Sequence, residues 1–100
     1  MIVIKEEKYN LDWKEVGTEI IYIGAERYRL PIYEKILYNK IAIQVTPEEE
    51  NNEIIWSVYY TPDIGRAGWK FVETGFFDSE EAMNYVDKEF VKKFDIFDYI

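Results

Sequence analysis

Apolar residues recur at every second position from Ile54 onward: Ile54, Trp56, Val58 and Tyr60 alternate with Ile55, Ser57, Tyr59 and Thr61. A period of two sends successive side chains to opposite faces of a strand. Pro62-Asp63-Ile64-Gly65-Arg66-Ala67-Gly68 reads as a turn segment, and Trp69 to Phe77 as a second strand-like run. From Asp78 the period lengthens. Ala82, Met83, Val86, Phe90 and Phe94 fall on one arc of a 3.6-residue repeat, which predicts an amphipathic helix. Asp78 suits the N-cap with Glu81 three residues on, although Ser79 fits the cap as well. Glu80 and Glu81 stand by the positive helix end, Lys92 and Lys93 by the negative one, and Glu89 can pair with Lys93.

The first half is less regular. Ile2 to Lys5 reads as a short strand. Asp12-Trp13-Lys14-Glu15 fits a capping box with Gly17 as a stop, which predicts one helical turn over residues 11–16. Ile20 to Ile23 and Arg27 to Leu30 flank Gly24-Ala25, the pattern of a hairpin. After Pro31 two readings stand. Ile32, Tyr33, Ile36 and Leu37 have helical spacing behind a proline suited to a first turn, yet the same stretch fits a strand turning at Tyr38-Asn39-Lys40 into Ile41–Val45. Glu48 to Glu53 reads as a polar loop in which Asn51-Asn52 tolerates a left-handed backbone.

These elements predict a single α+β domain over residues 1–100. It is an antiparallel β-sheet of about four to six strands with a C-terminal α-helix packed on one face. The uncovered face would then show some of Ile55, Tyr59, Val72 and Phe76, and would need the N-terminal half or a partner to cover it.

Composition adds bounds. With 48% hydrophobic and 18% aromatic residues, the chain can fill a core and does not read as disordered. No apolar run approaches the roughly 18 residues of a membrane span. Met1-Ile2-Val3-Ile4-Lys5-Glu6-Glu7 lacks a secretory-signal pattern, and there is no cysteine, so a cytoplasmic location is expected. The net charge of −8 is unevenly spread. Residues 1–46 are neutral, Glu48, Glu49, Glu50 and Glu53 make a local −4, and residues 78–100 supply another −4. Without a basic stripe, direct binding of nucleic acid or of an anionic membrane is not expected.

The absence of histidine and cysteine removes the Ser-His-Asp and Cys-His nucleophile systems and the usual zinc ligands. The five glycines form neither a phosphate loop nor a dinucleotide fingerprint. The chain thus reads as non-enzymatic, with no cofactor and no metal. What remains is surface. The candidate partner-binding residues are Glu48, Glu49, Glu50 and Glu53, Arg66 on a Gly-Arg-Ala-Gly tip, and Asp95 and Asp98 near the C-terminus. Trp13, Trp56 and Trp69 are of the type enriched in binding hot spots, and core packing would use them equally well.

Phe77-Asp78-Ser79-Glu80-Glu81-Ala82, following a tryptophan-bearing hairpin, resembles the helix start of the small DNA-binding domains of plant ethylene-response factors and of recombinase arm-binding domains. HicB-type antitoxins are similar in placing strands before a helix. The resemblance covers Trp56 to Tyr85 and implies a local sheet-and-helix fold. Those DNA readers line their exposed sheet with arginine and lysine, whereas this hairpin carries only Arg66 and Lys70, so the DNA-binding activity is not implied.

The expected function is that of a small acidic protein-binding module. An inhibitor or antagonist of a larger basic or nucleic-acid-binding protein fits best, with the profile of DNA mimics and viral anti-defence proteins. The alternative is an assembly module that homo-oligomerises through an aromatic sheet face or an unpaired edge strand.

Overall fold

The computed structural model describes residues 13–37, 39–62 and 68–90. Five strands come first: β1 (Lys14–Ile23), β2 (Glu26–Leu37), β3 (Ile41–Glu50), β4 (Glu53–Thr61) and β5 (Lys70–Phe76). Helix α1 (Ser79–Tyr85) follows and runs into a π-helical turn, Val86–Phe90. The strands form one sheet in the order β1-β2-β3-β4-β5, with every neighbouring pair antiparallel. No helix among the described residues is long and apolar enough to cross a membrane.

Two local expectations are revised and one open reading is settled. Lys14 to Val16 belong to β1 rather than to a helical turn, and Gly17 marks a register shift in that strand instead of a helix stop. Residues 11 and 12, the strand expected at Ile2 to Lys5, and Phe94 lie outside the described residues. Pro31 to Leu37 are strand, which resolves the two readings of that stretch. Glu48 to Glu50 continue β3, so the acidic run is a hairpin and not a loop.

The prolines show why the sheet has its shape. β2 and β3 pair only between Tyr33–Leu37 and Ile41–Val45. Pro31 in β2 and Pro47 in β3 sit just outside that ladder, where each strand has a neighbour on one side only. Proline has no N–H to give, so it is accommodated where a ladder is absent. Beyond this point the sheet divides into a β1–β2 ribbon and a β3–β4 hairpin.

Turn chemistry closes both hairpins. Gly24 has φ +62° between β1 and β2. Asn51 and Asn52 have φ +53° and +63° between β3 and β4, the pattern of a type I′ turn, whose twist matches that of the flanking strands.

Ile41, Ile43, Val45, Trp56 and Val58 form one buried cluster with Trp13, Ala82, Met83, Val86 and Phe90. The register places Val45 beside Val58 and Ile43 beside Tyr60, on one face of the sheet. Asp78 caps α1, its carboxylate accepting from the Glu81 backbone N–H at 2.8 Å, while the Glu81 carboxylate accepts from the Phe77 N–H at 2.9 Å. Val72 and Phe76 pack against the core cluster rather than on the face with Tyr59. Register shifts between β4 and β5 are the cause; they leave Phe71 opposite Tyr59 instead.

Candidate partner-binding surface

The acidic run is built into the β3–β4 hairpin. A two-residue turn fixes the β3–β4 register, so Glu50 stands directly opposite Glu53, and Glu48 opposite Ile55. Glu49, Glu50 and Glu53 are exposed, and none of them forms an ion pair among the described residues. The Glu49 carboxylate accepts from the Asn52 backbone N–H at 2.8 Å, which holds the turn from its own strand.

Glu48 behaves differently. It is half-buried, and one carboxylate oxygen accepts from Ser57 Oγ at 2.7 Å while the other accepts from the Tyr59 hydroxyl at 2.6 Å. Ser57 Oγ also lies 2.7 Å from Thr74 Oγ1. Ser57 has one hydroxyl proton and gives it to Glu48, so Thr74 must donate to Ser57. A relay of hydroxyls thus runs from β5 through β4 to one carboxylate on β3. The hydrogen bond to Glu48, then burial, then the negative charge of Glu48 push the Tyr59 phenol up from 10.0 to about 12. Along the same face Gln44 Nε2 donates to Glu34 at 3.1 Å, and Tyr59 meets Phe71 edge-on at 5.8 Å between centroids.

A second polar cluster ties the chain together across long sequence separations. Asp87, in the π-helical turn, accepts from Trp13 Nε1 at 3.3 Å and from Lys35 Nζ at 2.5 Å. The Lys35 ammonium also lies 5.6 Å from the centre of the Trp13 ring. Both charged side chains are nearly buried, at 13% and 12% exposure. Each is matched by the other, which a buried charge requires.

The β1–β2 ribbon sorts its residues by face. Arg27 pairs across with Tyr22 and Arg29 with Ile20. All four are exposed, and neither guanidinium has an ion pair or hydrogen bond among the described residues. Glu19, Glu26 and Tyr28 lie on the alternate positions, and the Tyr28 hydroxyl donates to Glu26 at 2.5 Å.

Of the residues singled out from sequence, the structure gathers Glu48, Glu49, Glu50 and Glu53 on one hairpin, with Glu48 turned into the hydroxyl network. Arg66, Asp95 and Asp98 lie outside the described residues. The roles of Ser57, Tyr59 and Thr74 were missed. Ser57 and Tyr59 alternate on β4, so the hairpin register alone would have placed both on the face of Glu48. Among the described residues no group of three or more acidic side chains is arranged to hold a metal ion. Comparison with known protein families, with curated proteins and with solved structures found no match.

Proposed function

We propose that the chain is a small, non-enzymatic, acidic protein-binding module that engages a basic surface of a larger protein. In this reading α1 packs on the sheet face that carries Val45 and Val58. The other face and the β3–β4 hairpin are left for the partner. The observation that carries the proposal is the pairing of Glu50 with Glu53. Like charges directly opposite on adjacent strands cost about 0.2–1 kcal/mol relative to a neutral pair. No cation relieves these two among the described residues. A cationic partner would turn that cost into attraction on binding. Glu48, Glu49, Arg66, Asp95 and Asp98 belong to the same proposed contact set. Inhibition of a nucleic-acid-binding protein is the most natural outcome, since such proteins present the cationic surface this hairpin lacks.

The test uses the stability cost itself. Replacing Glu50 by Lys creates an opposite-charge pair with Glu53, and the thermal midpoint is expected to rise by about 2–4 °C. Affinity for a partner isolated from the native cell should fall at least about tenfold at low salt, with a weaker salt dependence. If E50K and E53K leave both affinity and its salt dependence unchanged, the hairpin is not the contact.

A second reading rests on the ribbon. Exposed Arg27, Arg29, Tyr22 and Ile20 complement the hairpin glutamates, so one copy could seat its ribbon on the acidic hairpin of another.

A further inference from the structure

A cavity of about 280 Å³ opens between Trp13, Tyr33, Ser79, Glu80 and Met83. It stands apart from the hairpin glutamates, and its walls have a definite character. Trp13 and Met83 are each 7% exposed, so the indole and the thioether form buried walls. Tyr33 is half-buried on β2, and Glu80 is exposed at the start of α1. The Tyr33 hydroxyl, the Ser79 hydroxyl and the Glu80 carboxylate have no protein partner among the described residues. The wall therefore offers two aromatic rings and three oxygen-bearing groups able to accept a hydrogen bond.

Three ligand classes can be compared. A purely apolar guest would strip water from those oxygens without replacing it, at a cost of about 1–3 kcal/mol for each group left unpaired. An anion would meet the Glu80 carboxylate and the negative faces of two rings. The start of α1 already carries the Asp78, Glu80 and Glu81 carboxylates, so it adds no attraction for a further negative charge. A cation with N–H donors is the best match of the three, since aromatic faces attract cations and all three oxygen-bearing groups accept. Lys35 already sets its ammonium 5.6 Å from the centre of the Trp13 ring, but Asp87 neutralises it at 2.5 Å, so a second cation relies mainly on Tyr33, Ser79 and Glu80.

We propose that this cavity binds the ammonium or guanidinium head group of an organic cation, set between Trp13 and Tyr33 with Glu80 as its counter-charge. The head group belongs either to a free alkylamine or to a lysine or arginine side chain of a protein. Its size suits one such group, being at the low end for small-ligand sites.

The experiment follows the Trp13 indole N–H and the Met83 methyl group by NMR during titration of the whole chain with n-butylammonium, n-propylguanidinium and 1-butanol. The alcohol is a neutral match in length to the ammonium, and sodium chloride controls for ionic strength. Saturable shifts are expected for at least one cation with Kd of about 10 mM or tighter. The alcohol should bind at least about tenfold more weakly. Glu80→Gln should weaken the cation about threefold or more and leave the alcohol unchanged; Glu80 is exposed, so this variant keeps the fold. A blocked Gly-Lys-Gly or Gly-Arg-Gly peptide that binds more tightly than the free cation identifies a protein side chain as the source, and weaker binding identifies a free amine. Equal binding of 1-butanol, an E80Q variant with unchanged cation affinity, or no saturable shift with either cation would overturn the proposal. None of these results bears on the hairpin, and loss of partner binding in E50K does not bear on the cavity.

Discussion

A half-buried carboxylate with two hydroxyl donors holds its neighbours in a single arrangement. Glu48 takes one proton donor on each oxygen, and the bond from Tyr59, at 2.6 Å, is in the range of charge-assisted hydrogen bonds. The phenol that donates is thereby harder to ionise, with its titration moved from 10.0 to about 12. The sign for stability follows from proton binding. In the unfolded chain the tyrosine releases its proton near pH 10, whereas in the native protein it keeps it to about 12. The Tyr59 contribution is therefore complete below pH 10, declines between pH 10 and about 12, and is gone above that. Carbon-13 NMR of labelled tyrosine ring carbons should show Tyr59 titrating at about 12, and Glu48→Gln should return it toward 10.0 because the carboxylate is the largest cause. A Tyr59 titration unchanged by E48Q would show that Glu48 does not set it. Tyr28, whose phenol is also raised by a bond to a glutamate, is the internal comparison.

Hairpins account for most of the architecture, and their turns were the most legible part of the chain. Gly24-Ala25 and Asn51-Asn52 were readable because a positive φ is tolerated by few residue types, whatever surrounds them. The helix start was readable for a similar reason, since its donors and acceptor lie within a few residues, although the choice of Asp78 over Ser79 as cap came only with the structure. By contrast, Asp12-Trp13-Lys14-Glu15 looks like a capping box, yet residues 14–16 are strand. Val16, Thr18, Ile20 and Tyr22 favour an extended chain, and pairing with β2 outweighs a cap that no apolar helical stripe supports. The glutamates before Asn51 looked like loop because glutamate is depleted in strands, but a tight hairpin carries its register back along both arms. The cost of that turn can be measured. Asn52→Ala should destabilise by about 1–2 kcal/mol in urea unfolding, because alanine pays the left-handed penalty. Asn52→Gly should equal or exceed the parent stability, as Asn-Gly is the favoured pair for this turn. Equal loss in both variants would show that the Asn52 side chain matters more than its backbone angle.

At the scale of the molecule, charge and exposure divide the surface. The net charge of −8 repels other copies of the chain, while the ribbon arginines and the hairpin glutamates attract them locally. Long-range repulsion should win for the isolated protein, so light scattering across a concentration series to high micromolar at low salt is expected to give the monomer mass. A mass that grows with concentration, and that Arg27→Glu with Arg29→Glu abolishes, would put self-association in place of a foreign basic partner. The legibility of the surface was uneven at this scale too. Acidic residues stood out in the sequence, but the cavity did not, because Trp13, Tyr33 and Met83 meet only once the sheet and α1 are assembled.

The order of strands across the sheet is also their order along the chain. During synthesis, each strand from β2 onward therefore emerges from the ribosome with its partner already made. Every pairing closes a short loop, so little chain entropy is spent before contacts form. The edge of the growing sheet is covered strand by strand as the next segment appears, and the long-range union of Asp87 with Trp13 and Lys35 comes after the sheet is complete.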